Sequence, residues 1–298
     1  MEKGELCFDV GGTYIKYGVF DRKGQWLERG KFPTPNETMD AFFAALVTKI
    51  TEVEEKIIVT GIGLSFPGFI DPTSGVAIMA GALTPLHGCN ILQELQQRLS
   101  THYPIWIEND ANCAALAELA FGNAKEVQDF VLLTLGTGIG GALIQDRKII
   151  HGAGFRAGEF GMMITDFQTS SFKTLHDLAS TRGLIDAYRR EKQIPAEQPI
   201  LGEKIMEEWQ EPETRRIITH WADYVALAVY NLAVTMNPEK ILIGGGISTE
   251  PRLLPLIQEA LNKNPHWPDF SVPIETCLYQ NDSGLLGARY LIEQGGNA

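Results

Sequence analysis

Asp9, Gly11, Gly12, Thr13 and Lys16 lie together in the stretch DVGGTYIK. An apolar run ends at Asp9, the glycines and threonine make a tight turn, and Ile15, Tyr17, Val19 and Phe20 start a return strand. The tip of such a hairpin leaves backbone N–H groups uncovered, and beside a hydroxyl and a lysine they suit an anion such as a phosphate. Asp9 would repel a phosphate directly but can hold its Mg²⁺ through water. An ordinary hairpin turn explains Gly11-Gly12 as well, because Gly-Gly is a common turn dipeptide.

Asp110 is the second chemically able group. The short strand 105–107 runs into Glu108, Asn109 and Asp110, and the small-residue stretch 111–118 then reads as a helix. A carboxylate at a strand's end can take the proton of an alcohol that attacks a phosphate. It can equally cap the helix, since Asp is a favoured N-cap.

The second half restates the first. Strand 131–135 leads into Gly136-Thr137-Gly138-Ile139-Gly140-Gly141, strand 142–144 follows, and Asp146-Arg147-Lys148 answers Asp21-Arg22-Lys23 of the first half. Two glycine-threonine tips point to an internal duplication, and two such tips facing each other would grip one polyphosphate from both sides. A third cluster, Gly244-Gly245-Gly246, follows strand 239–243. Bare backbone there lets a flat ring lie close, with a tight turn as the plain alternative.

The groups named so far need a scaffold, and the apolar spacing supplies one. Strands 5–10, 15–20 and 25–32 form a meander, and Met39, Phe42, Phe43, Leu46, Ile50 and Val53 predict a helix over 37–54. The buried strand 57–64 runs into Ser65-Phe66-Pro67-Gly68, a turn by its Pro-Gly. Helices are expected over 90–99, 174–191, 200–209, 213–236, 251–262 and 281–293, with a strand over 273–278 and an irregular loop over 265–272. The stripe Ile217, Trp221, Tyr224, Val225, Ala228 and Leu232 reads as core.

At 298 residues the chain accommodates two domains of ordinary size. A net charge of −12 without a Lys/Arg-rich run speaks against nucleic acid or an anionic membrane as partner. No apolar run approaches about 18 residues, so no membrane span is expected. Cys7, Cys89, Cys113 and Cys277 are scattered, as free thiols in a reducing cytoplasm would be.

Together DVGGTYIK (9–16), SFPGFID (65–71), ENDANCAALAE (108–118), LGTGIGGALI (135–144), HGAGFRAGEFG (151–161) and LIGGGIS (242–248) resemble the ROK family of sugar kinases, over essentially the whole chain. The resemblance implies an α/β fold of two domains, of the actin-like ATPase (ribonuclease H-like) type with an interdomain cleft. Residues 1–117 with 284–298 would form one domain, and 118–283 the nucleotide-binding one. It implies Asp9, Gly11, Gly12, Thr13 and Lys16 as the first phosphate-side element, Thr137 and Gly138 as the second, and Gly244, Gly245 and Gly246 along the adenosine. It places Gly68, Asn109 and Glu159 at the sugar and makes Asp110 the general base. The implied activity is phosphorylation of the 6-hydroxyl of a hexose or a β-glucoside by ATP with Mg²⁺, in a homodimer. The family also holds transcriptional regulators, which carry an N-terminal helix-turn-helix; a strand beginning near Glu5 leaves it no room. A sugar sensor without catalysis is the other alternative, against which Asp110 and both tips count.

Two departures from the family pattern stand out. Zinc-bearing members follow Gly-Glu-x-Gly with His and then a CxCGxxGCxE run, whereas here Met162, Met163, Ile164 and Thr165 follow, with no cysteine before Cys277. A structural zinc needs about four clustered Cys/His ligands, so none is expected; His151, His176 and His220 read as polar surface or cleft residues. The glutamate ending that run contacts the sugar near C1 and C2 in the family, and alignment on Leu178-Ala179-Ser180 puts His176 in its place. An imidazole donates or accepts where a carboxylate only accepts, although a helix-surface histidine fits the same residue. Loss of the carboxylate would leave room for a substituent at C1, hence the glucoside.

Overall fold

The computed structural model describes residues 1–166 and 172–295. Its contacts gather the chain into two compact units, one of residues 1–121, 151–156 and 281–298, the other of 122–150 and 157–280.

In the first unit, β1 (Glu2–Val10), β2 (Tyr14–Phe20), β3 (Trp26–Pro33), β4 (Ile57–Phe66) and a later strand, 105–109, share one sheet. The helix α1 (Met39–Glu54) starts where Thr38 accepts the Ala41 amide, and buries Phe42, Phe43, Leu46, Ile50 and Val53, the stripe its spacing predicts. After the Pro67-Gly68 turn comes a small antiparallel sheet, β5 (Phe69–Asp71), β6 (Val76–Met79) and β7 (Cys89–Asn90). Strands of two to four residues carry no readable alternation, so the sequence does not mark them. Asn90 caps α2 (Ile91–Arg98) as expected. Then β8 (Ile105–Asn109) runs directly into α3 (Asp110–Phe121). The sheet order is β3-β2-β1-β4-β8, antiparallel from β3 to β1 and parallel from β1 to β8. The C-terminal helix (Ser283–Glu293) packs on α3, β1 and β4.

The second unit repeats this plan. It contains β9 (Phe130–Leu135), β10 (Ile139–Gln145), β11 (Lys148–Ile149), the pair β12 (Ile164–Asp166) and β13 (Lys173–Thr174), then α4 (Leu175–Ala179), α5 (Thr181–Lys192), α6 (Gly202–Glu207) and α7 (Pro212–Met236). It closes with β14 (Lys240–Gly244), α8 (Leu253–Asn262), α9 (Trp267–Phe270) and β15 (Ile274–Thr276). The order β11-β10-β9-β14-β15 matches that of the first sheet, strand for strand and direction for direction. The duplication suspected from two glycine-threonine tips is therefore a duplication of the whole sheet.

Two expectations need correcting. The single helix over 174–191 is broken at Ser180, whose hydroxyl accepts the Gly183 amide and so starts α5 separately. The loop over 265–272 contains the helical turn α9, held by the buried Trp267. By length and composition alone α7 is apolar enough to cross a membrane, but 56% of its most apolar stretch is buried, and Trp221 and Val225 of its predicted core stripe, with Val229 beside them, lie in the second unit's core.

The unit boundaries also differ from 117/118 and 283/284. The first falls inside α3, whose last turn stays with its own unit. Segment 151–156 joins the first unit, which sequence spacing did not foretell: His151 bonds Glu108, and the Arg156 guanidinium lies 5.2 Å over the Phe69 ring.

Candidate active site

In the first unit the polar groups collect at the carboxyl ends of the parallel strands. Asp9, Ser65 and Glu108 are register partners on β1, β4 and β8. Open α/β sheets bind ligands at this edge, because the chain there turns outward and leaves backbone groups uncovered. Asp9 accepts from Ser65 Oγ at 2.9 Å through one oxygen and from Lys16 Nζ at 3.1 Å through the other. Lys16 also donates to the Asn281 carbonyl at 2.8 Å. Gly284, at the start of the C-terminal helix, leaves space for this carboxylate; a β-carbon on it would lie 2.3 Å from Asp9 Oδ1.

The tip between β1 and β2 is closed by the Gly11 amide donating to the Tyr14 carbonyl at 3.1 Å. Gly12 and Thr13 are exposed, and among the described residues no hydrogen bond takes their amides. Such a tip fits an anion. Asp9 beside it fits a cation held through water rather than in a cage: Mg²⁺ keeps several waters and takes one or two carboxylates. No group of three or more His, Cys, Asp or Glu side chains placed to hold a metal occurs among the described residues.

Asn109 and Asp110 divide the work at the next corner. The Asn109 Oδ1 accepts from the amides of Ala111 at 2.9 Å and Asn112 at 3.0 Å, so Asn109 caps α3. Its Nδ2 donates to the Gly68 carbonyl at 2.9 Å. The cap considered for Asp110 thus falls to its neighbour. Asp110 is the first helical residue and is exposed, with its Oδ1 near Asn109 Nδ2 and the Ala111 amide. Gly68 has φ +96°, and a β-carbon there would lie 2.0 Å from the Met79 carbonyl oxygen, so only glycine fits the turn that meets Asn109.

Behind this corner lies a group that sequence reading passed over. Glu108 is 2% exposed, and its carboxylate accepts from the Asn109 amide, Asn112 Nδ2 and His151 Nε2 at 2.7, 2.8 and 2.7 Å. Pairing with Glu108 pushes the His151 imidazole up from its ordinary value, against the effect of burial. The signal was present, a carboxylate closing a buried strand, but its partner lies 43 residues away in sequence.

The second unit assembles its own set. The tip between β9 and β10 is closed by the Gly136 amide donating to the Gly138 carbonyl at 2.9 Å, and the Thr181 amide at the start of α5 donates to the Gly136 carbonyl at 2.9 Å. Thr137 is exposed. His176 packs on this tip: a β-carbon on Gly138 would lie 2.6 Å from the ring's Cε1. The glycine cluster arrives at the same place, since Gly244 pairs with Thr134 and Gly245, at φ +90°, crosses so near Leu135 that a β-carbon would lie 2.2 Å from its carbonyl oxygen. Gly246 is exposed.

Glu159 belongs to this set too. The turn Gly158-Glu159-Phe160-Gly161 docks on β10, with Gly158 against the Gly141 carbonyl, Gly161 against the Ile139 carbonyl and Phe160 over Gly141. Half-buried, the Glu159 carboxyl is pushed up from its ordinary value by burial.

The sequence pattern of the ROK family matches residues 5–295. A β-glucoside kinase of Klebsiella pneumoniae is 34% identical over 293 residues, spanning 97% of this chain and 95% of that protein. Among solved structures, a ROK family protein of Streptococcus pneumoniae in complex with sucrose is 27% identical with a TM-score of 0.85, covering 98% of this chain and 99% of its own. A ROK family glucokinase of Streptomyces griseus in complex with glucose and AMPPNP is 25% identical with a TM-score of 0.79, covering 98% and 99%. The repeated β-meander and parallel crossovers are those of the actin-like ATPase fold.

Proposed function

The chain belongs to the ROK family, and on that premise we propose that it is an ATP-dependent carbohydrate kinase acting on the 6-hydroxyl of a hexose or a β-glucoside. The observation that carries the reading is Asp110, an exposed carboxylate on the first turn of α3, just past the end of β8 at the carboxyl edge of the sheet where β1 carries Asp9. Asp110 accepts the proton of the sugar's primary hydroxyl as that oxygen bonds to the γ-phosphorus of ATP and the bond to the ADP oxygen breaks. Asn109, Gly68, Glu159 and His176 take sugar hydroxyls. Gly11, Gly12, Thr13 and Lys16, with Thr137 and Gly138, take phosphate oxygens, and Gly244, Gly245 and Gly246 border the adenosine. Mg²⁺, when bound, neutralises phosphate charge, and Asp9 would hold it through water. No structural zinc is invoked, and a homodimer is the proposed assembly.

The β-glucoside half of the proposal is supported by the similarity to the kinase of Klebsiella pneumoniae and by the alignment on Leu178-Ala179-Ser180, which puts His176 in place of the family's sugar-contacting carboxylate. ADP release should be measured with ATP and free glucose, fructose, N-acetylmannosamine or cellobiose. Turnover of cellobiose at its non-reducing 6-hydroxyl is the expected result. Much faster turnover of free glucose than of any glycoside would overturn the glucoside assignment. ADP release no faster than without sugar would overturn the kinase reading.

A further inference from the structure

Buried Glu108 has no part in the chemistry just described, yet it brackets the group that does. Its Oε1 is tied to the amide of Asn109, before Asp110, and to the side chain of Asn112, after it. Its Oε2 receives His151 Nε2 at 2.7 Å, the one ion pair of Glu108 among the described residues. A carboxylate 2% exposed is costly to keep charged without a counter-charge, and removing one partner of a buried pair costs far more than losing a surface pair. The counter-charge arrives on segment 151–156, and the other end of that segment touches the turn that meets Asn109. Arg156 lies over Phe69, the residue after Gly68, and the Gly68 carbonyl receives Asn109 Nδ2.

We propose that His151 is a positioning residue: its imidazolium neutralises Glu108, and the neutralised Glu108 holds the Asn109–Asp110 corner in the geometry that presents the Asp110 carboxylate. The charged groups that act on His151 are Glu108 and Asp71, both acidic, while Phe155 faces it edge-on at 6.1 Å between centroids. Pairing with Glu108 raises the imidazole's proton affinity from its ordinary value, with burial opposing and Asp71 adding. The sign follows: His151 is protonated below that raised value, and as pH rises through it Glu108 loses its counter-charge and the corner its support. The role in turnover rests on the kinase reading, whereas the pair itself does not.

Two measurements separate these. In the first, the His151 ring and the Asn109 and Asp110 amides are followed by NMR across a pH titration of the intact protein, which needs no substrate. The ring should titrate above an ordinary histidine, the two amides should follow the same curve, and Glu108→Gln should return the ring toward its ordinary value. In the second, kcat and KM are measured against pH with whichever sugar is turned over. His151→Gln, which keeps a donor without the charge, should lower kcat about 10- to 100-fold, as a small misplacement of a reacting group does, and leave KM for ATP unchanged. His151→Lys, which keeps the charge, should restore most of kcat and move the alkaline limb to higher pH. A His151 titration indifferent to Glu108→Gln overturns the pair. Wild-type kcat and pH profile in His151→Gln overturn the positioning role. Absence of turnover with every sugar would instead count against the kinase reading and leave the NMR arm decisive.

Discussion

Replacing Asp110 with Asn separates a catalytic carboxylate from a structural one. The structural cost is bounded by the geometry. Asn109 already caps α3 through the Ala111 and Asn112 amides, and an amide oxygen at position 110 can still accept from Ala111 and from Asn109 Nδ2. What the fold loses is one negative charge at an exposed helix start, worth about 0.3–1 kcal/mol, or a fall in Tm of roughly 2–4 °C at most. A general base contributes typically about 10²–10⁴ in rate, which at about 1.36 kcal/mol per tenfold is about 2.7–5.4 kcal/mol of barrier. The two roles thus predict different outcomes. Coupled ADP release at saturating sugar should show kcat lower by about 10²–10⁴, with KM for the sugar within a few-fold and the melting curve nearly unmoved. Turnover within about fivefold of wild type, in a folded variant, would refute the assignment, because proton acceptance by Asp110 would then carry less than about 1 kcal/mol.

Gly138→Ala places a β-carbon 2.6 Å from the His176 ring, a side chain that can swing aside, so the fold should survive while KM for ATP rises about tenfold; an unchanged KM for ATP would remove that tip from the nucleotide site. Gly68→Ala meets a rigid carbonyl at 2.0 Å and an unfavourable φ of +96°. It should destabilise the protein by about 1–3 kcal/mol or more, seen as a lowered Tm together with weaker sugar binding by calorimetry. Burial raises the Glu159 carboxyl, so as pH falls through that raised value the acceptor is protonated and KM for the sugar should climb; Glu159→Gln should have a high KM without this acid dependence, checked by initial rates against sugar concentration at several pH values.

Much of the site was legible in one dimension because its determinants are local. The turn at Gly11-Gly12-Thr13 depends on residues that adjoin in sequence, as does its twin at Thr137-Gly138, and a strand feeding straight into a helix is enough to put Asp110 at a corner. Periodicity alone located α1 and α7, since a buried stripe recurs every three or four residues. The family resemblance rested on the same short runs. Local reading left the α3 cap open as an alternative role for Asp110: Asp110 and Asn109 are both good caps, and which one is used depends on where β8 ends.

Tertiary structure decided the rest, through contacts between residues far apart in the chain. Sheet order joined β1 to β4 and β4 to β8, and only that pairing brings Ser65 to Asp9 and Glu108 into line with them. The return of segment 151–156 to the first unit turned His151 from a polar loop residue into the counter-charge of a buried glutamate. Gly284, Gly245 and Gly68 are glycines because a carboxylate or a carbonyl from elsewhere occupies the space of a β-carbon. The sequence by itself determined which residues can do chemistry and on what kind of local element each stands, because turns, caps and amphipathic stripes are short-range. Which carboxylates are buried, what neutralises them and which groups share an edge were decided only by folding, because electrostatics and exclusion act between neighbours in space.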